Sequence, residues 1–184
     1  AKECMHFVHS KPLNDFSGTI QRALFHYENQ IKDAESLPNA CDTDPNSPRE
    51  IMVIDWIKNT TFFDENKDSI KVTAQFPIGK YLRQLDPSYN HGDYKTDFLL
   101  SYSSEENKTV NIVIEYDGFE DHFINYQDVN EMNYEHYYNK DDIERQLVLE
   151  GYGYNFIRLN RFNTKTDPAI YLNNRIQQIV KKKE

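Results

Sequence analysis

The sequence predicts an α/β domain: a central mixed β-sheet of about four strands flanked by helices, with an N-terminal helical extension. Three observations predict it. Elements recognised by their apolar period fall in the order α-β-β-β-α-β-α within residues 47–183. The run at 109–116 is apolar on both faces, as a strand covered by helices must be. Short polar or Pro/Gly-containing segments separate most of these runs, so each ends where a turn can form.

Residues 14–36 place Phe16, Ile20, Leu24, Tyr27 and Ile31 at helical spacing and read as an amphipathic helix. Residues 37–48 contain Pro38, Pro45 and Pro48 among Asn and Asp and read as a linker. The division is therefore 1–46, an N-terminal helical extension and linker, and 47–184, the main domain. Ser47-Pro48-Arg49-Glu50 opens a second helix, with Ser47 as N-cap and Glu50 as the acid of a capping box. Ile51, Ile54 and Ile57 continue its apolar face.

Residues 71–76 read as a strand that ends at Pro77-Ile78-Gly79. Residues 94–102 and 109–116 form a second and a third, joined by a polar hairpin at 103–108. Residues 118–138 are acidic, rich in Tyr and short of aliphatics, and read as a long loop. A helix over 141–151 turns Ile143, Leu147 and Val148 inward and ends at Gly151. Residues 154–159 give a fourth strand and 168–183 a closing helix.

Composition bounds the function. The 184 residues carry a net charge of −9, and aromatics reach 14%, which excludes wholesale disorder. No stretch approaches the roughly 20 apolar residues of a membrane span. No secretory leader is visible at the start, and Cys4 and Cys41 make neither a disulfide framework nor a zinc quartet. The expected setting is intracellular and cytoplasmic, without membrane association. A chain starting at Ala1 reads as processed or as part of something longer. Charge is uneven: residues 1–114 balance at −5, 115–150 at −9 and 151–184 at +5. Bulk charge therefore opposes nucleic-acid binding, which needs Lys and Arg at phosphates. A dense acidic block beside a basic tail permits another arrangement, in which carboxylates gather a divalent cation and separate basic residues hold phosphates.

Asp97, Glu115 and Asp117 stand on strands or at their ends, where an unpaired charge is costly. Glu115 and Asp117 share one face at i and i+2, and Asp97 lies in the hairpin partner. Carboxylates converging there make a hard-oxygen site suited to Mg²⁺ or Mn²⁺. Strand-end acids facing water are the alternative. His122 has an ordinary pKa near 6.5 and suits proton transfer at neutral pH. His6, His9, His26, His91 and His136 show no ligand-like spacing. Tyr134, Tyr137 and Tyr138 can stack on bases or pack as a lid over the acids, the lid being the expected use. No Walker A loop, nucleophile elbow or dinucleotide fingerprint occurs.

Asp97, a hairpin, then Ile114-Glu115-Tyr116-Asp117-Gly118 with His122 following resembles the PD-(D/E)XK restriction-endonuclease-like superfamily, in the branch similar to very-short-patch repair endonucleases. Ser47 to Glu50 resembles the first-helix acid of that branch, and Gln75 to Tyr81 its first strand and turn. Asp142 to Tyr152 resembles its next helix, and Tyr154 to Phe162 its final strand. The likeness covers about 47–183.

The resemblance implies a restriction-endonuclease-like core and Mg²⁺-dependent hydrolysis of phosphodiester bonds, with DNA as the expected partner. Asp97, Glu115 and Asp117 would bind the metal, His122 would move a proton, and Glu50 would steer a metal-bound water. Lys80, Lys95, Arg145, Arg158 and Arg161 are candidates for nucleic-acid contact, although Arg145 and Arg158 equally suit structural ion pairs. Companion domains of a larger helicase-like or defence assembly are also implied. Two departures stand out. The superfamily's Glu-x-Lys is Glu115-Tyr116-Asp117 here, leaving Lys80, Lys95 or His122 to replace the lysine; the repair-like branch commonly lacks it too. Residues 82–93 are an extra segment, either a specificity loop or a solvated excursion. The rival reading is an inactive nuclease-fold module used for nucleic-acid or protein binding. A glycosidase using the Glu115–Asp117 pair is weaker, because nothing nearby resembles a sugar cleft.

Overall fold

The computed structural model describes residues 42–44, 46–104 and 108–182. The helix expected over 14–36 lies outside them, as do Cys4, Cys41 and Lys183. Helix α1, Pro48–Lys58, starts with proline at its first position, where the missing N–H costs nothing. Ser47 makes no side-chain cap, and the expected capping box does not form. Glu50 instead accepts from the Asp44 backbone N–H at 3.1 Å and from Gln75 Nε2 at 2.9 Å. Ile54 and Ile57 are buried as expected, whereas Ile51 is exposed and Val53 takes its place on the inward face. Helix α2, Thr61–Glu65, is capped by Thr60, whose hydroxyl accepts from the Phe63 N–H.

Strand β1, Ile70–Phe76, β2, Thr96–Ser103, β3, Thr109–Tyr116, and β4, Asn155–Leu159, form one sheet in the order β1-β2-β3-β4. The first three are antiparallel neighbours, and β4 runs parallel to β3. That parallel pair requires a crossover, supplied by residues 117–154 with helix α5, Lys140–Gly151. Helix α6, Pro168–Lys181, closes the chain, with Asp167 Oδ1 accepting from the Ile170 N–H. The α/β class and four-strand mixed sheet flanked by helices agree with the sequence reading.

Alternation along the strands sends apolar residues to both faces. Phe98, Leu100, Ile112, Ile114, Ile157 and Leu159 pack against α1, α2 and α6. On the opposite face, Leu99, Val113 and Phe156 meet Leu149 of α5, Tyr152 and Tyr154. Ile78 and Leu82 complete this second layer from helix α3, Ile78–Leu85. The sequence reading takes Pro77-Ile78-Gly79 as a turn and misses this helix. Proline suits the position just before a first helical turn, and Ile78 and Leu82 at i and i+4 are the signal that points to it.

The segment 82–93 is therefore not a solvated excursion. Leu82, Asp86 and Tyr89 are buried, and Asp86 Oδ2 accepts from the Tyr152 hydroxyl at 2.7 Å. The long loop at 118–138 also contains structure: helix α4, Phe119–His122, and two 3₁₀ turns at Tyr126–Asp128 and Tyr134–His136. In α5 it is Leu149 that is buried, while Ile143 is exposed. Among the described residues no helix is long and apolar enough to cross a membrane.

Candidate functional site

Phe98 pairs with Ile114, so the next residues outward, Asp97 and Glu115, are cross-strand neighbours. They share a sheet face with the Leu99–Val113 pair. Glu115 is matched on its other side by Arg158 of β4. The N-terminal turns of α5 bring Asp142, Arg145 and Gln146 to the same end of the sheet. Asn139 caps α5 by accepting from the Asp142 N–H at 2.8 Å, which fixes where Asp142 starts.

These residues form one continuous network. Arg145 Nη2 lies 2.8 Å from Glu115 Oε2 and 3.2 Å from Asp142 Oδ1. The other oxygen of Asp142 is 2.7 Å from His122 Nδ1, and His122 Nδ1 lies 3.6 Å from Asp117 Oδ1. Arg158 Nη1 donates to Asp117 Oδ1 at 2.7 Å. Its remaining nitrogens donate to Gln146 Oε1 and to the Asp142 carbonyl. Asp97 Oδ2 accepts from the Tyr116 N–H at 2.8 Å. Glu115 Oε1 is buried and has no hydrogen-bond partner among the described residues.

Burial dominates the electrostatics. Desolvation pushes Asp97 up to about 6 despite the Tyr116 N–H, with Glu50 and Asp117 adding to the rise. Glu115 is pushed up to about 8 by burial, opposed by Arg145. Asp117 is raised by burial against the pull of Arg158 and His122. The hydrogen bond to Asp142 raises His122, outweighing its burial. Burial acts to raise Asp142 as well, yet His122 and the two arginines together bring it below the ordinary carboxylate value. The rise favours the protonated form of His122 and so suits proton donation, one direction of the proton transfer expected of it.

Asp97, Glu115, Asp117, His122, Arg145 and Arg158 are thus brought together, with Glu50 close enough to Asp97 to raise its pKa. Both arginines are engaged by acids. Asp117, expected as a metal ligand, is ion-paired to Arg158. Among the described residues no three His, Cys, Asp or Glu side chains form a group that could hold a metal ion. The pair Asp97 and Glu115 still fits Mg²⁺, which takes one or two carboxylates and fills its other positions with water and substrate phosphate. Lys80 and Lys95 are exposed. Arg161 lies over the Phe119 ring at 4.9 Å.

Of the tyrosines, Tyr138 sits beside the network, its ring 5.2 Å below the Arg158 guanidinium, while Tyr134 stacks on Phe162. Sequence reasoning missed the His122–Asp142 pair and the Gln75–Glu50 bond. Asp142, Arg145 and Gln146 at i, i+3 and i+4 were a visible signal for one helix face. The long separation between His122 and Asp142 hid their contact. No protein-family model, curated protein or solved structure matches this chain.

Proposed function

We propose that the chain is a divalent-cation-dependent phosphodiesterase acting on nucleic acid, DNA first, on a restriction-endonuclease-like core. The observation that carries this reading is the Asp97–Glu115 juxtaposition, on one face of adjacent strands, with Glu115 Oε1 buried and unpartnered. A buried carboxylate oxygen without a partner is costly and awaits a cation or a donor. The sheet order, with an antiparallel hairpin followed by a parallel fourth strand, supports the same reading.

Asp97 and Glu115 would hold Mg²⁺ or Mn²⁺, which supplies charge stabilisation at phosphorus and a more acidic water. Glu50 adds negative charge beside Asp97, favouring the cation. Asp142 orients His122 and favours its protonated form, placing a proton donor for a departing oxygen. Asp117 and Gln146 fix Arg158, which positions the neighbouring acids rather than binding phosphate directly.

A second reading, an inactive nuclease-fold module for nucleic-acid or protein binding, is favoured by one observation. Glu115 and Asp117 already have arginine partners, and Asp117 occupies the position of the superfamily's usual lysine. Nicking of plasmid, and cleavage of short duplex DNA, single-stranded DNA and RNA across a Mn²⁺ series, tests the choice. The phosphodiesterase reading expects cleavage that Glu115→Gln abolishes. Wild-type inactivity on every substrate would favour the module.

A further inference from the structure

Beside the acid network, between the 134–138 turn, α5, β4 and α6, lies a cleft of about 290 Å³. Tyr134, Tyr138, Phe156 and Tyr171 line it together with Arg158, Arg175 and one acid, Glu135. We propose that this cleft binds one unstacked nucleobase of a single-stranded nucleic acid, with Arg175 meeting the adjoining phosphate. The proposal goes beyond cleavage and stands whether or not the acid network is catalytic.

The walls are aromatic, and they are held in place. Tyr134 stacks on Phe162 with centroids 5.5 Å apart and planes 15° apart, so one of its faces is already backed. Asn163 donates to the Tyr171 hydroxyl at 3.3 Å and to the Arg158 carbonyl at 2.9 Å. Arg158 lies against the rings of Tyr138 and Phe156 at 5.2 and 5.8 Å, with its polar edge spent on Asp117 and Gln146. Walls fixed in this way lose little freedom when a ligand enters.

A planar ring with polar edges matches such a surface, because every base has a face to stack and amides can meet its rim. The volume lies just under the range of about 300–1,000 Å³ typical of pockets that enclose a drug-sized ligand, so it suits one ring system with its sugar. Arg175 is exposed on α6, bonded within its own helix to Gln178 at 3.2 Å. Charge favours a single base over a duplex. Residues 115–150 carry a balance of −9, which repels a double helix laid across them. One base needs only one phosphate near Arg175.

Saturation-transfer NMR on the full chain in EDTA tests this with deoxyribo- and ribonucleoside 5′-monophosphates at millimolar concentration. Ribose 5-phosphate serves as an anion-only competitor. We expect transfer to base protons and weak competition by ribose 5-phosphate. Tyr134→Ala should weaken binding about tenfold or more. Arg175→Gln, at an exposed position, should weaken nucleotide binding and spare nucleoside binding. Response from one sugar series alone would support the site and name DNA or RNA as its source; equal response would support recognition through the base. Absence of transfer for every nucleotide, full displacement by ribose 5-phosphate, or wild-type binding by a folded Tyr134→Ala would overturn the proposal. Because EDTA removes metal, none of these outcomes depends on cleavage.

Discussion

Asp97 is held by a backbone amide, but burial outweighs that bond and sets the sign of its pH effect. Its pKa in the folded protein is about 6, so the native state holds this proton more tightly than the unfolded chain. Stability contributed by Asp97 therefore falls as pH rises from about 4 to 6, and Glu115 extends the same fall toward about 8. In EDTA, Asp97→Asn keeps an acceptor for the Tyr116 N–H and removes part of that fall. Urea unfolding should show a gain of about 1–2 kcal/mol above about pH 6 and little change at about pH 4. An unchanged pH slope would contradict the burial argument. Arg158 behaves oppositely, because it compensates a fully buried Asp117. Arg158→Met alone should cost about 3–5 kcal/mol, and adding Asp117→Asn should recover much of it. If the two losses simply add in urea unfolding, the pair is not coupled. The juxtaposition of Asp97 and Glu115 was legible because charges inside apolar runs demand a reason. The arginine partners of Glu115 and Asp117 were less legible: Arg145 and Arg158 suited ion pairs and phosphates alike until the fold set Arg145 against Glu115 and Arg158 against Asp117.

Strands β1 to β4 and helices α1, α5 and α6 were legible from period and punctuation, since strand alternation and helical spacing leave marks in sequence. Helix α3 was hidden by Pro77 and Gly79, two residues that signal a turn. Gly79 has a packing reason. Its N–H donates to the Tyr94 carbonyl at 3.0 Å, and a Cβ there would press into the Gly92 carbonyl and the Tyr94 backbone. Backbone on both sides leaves no flexible neighbour to yield. Gly79→Ala should therefore destabilise by about 2 kcal/mol or more despite the better helix propensity of alanine. The midpoint of urea unfolding reads this directly, and an unchanged midpoint would mean that α3 and the 92–94 segment are loosely joined. The loss should also reach the site, because this packing holds the chain entering β2, just before Asp97. The inward faces of α1 and α5 were misplaced at Ile51 and Ile143. Helix α1 presents more apolar residues than one face can bury, and α5 turns Asp142 rather than Ile143 inward.

At the scale of the molecule, charge and proposed chemistry pull apart. A protein at −9 repels phosphates, and its one segment of positive balance is 151–184. Replacing Lys181, Lys182 and Lys183 by Ala should weaken DNA association about equally for every sequence. It should lower the salt slope by at most about 0.9 for each phosphate that is no longer neutralised. Unchanged salt dependence in a filter-binding series would place the phosphate-binding cations elsewhere. The central claim, however, is that the Asp97–Glu115 pair recruits a divalent cation. Calorimetric titration with Mn²⁺ tests it most directly, comparing the wild type with the Asp97→Asn/Glu115→Gln double variant. The account predicts binding to the wild type and none to the double variant, with both folded by circular dichroism. Equal binding to both, or no binding to the wild type, would contradict it.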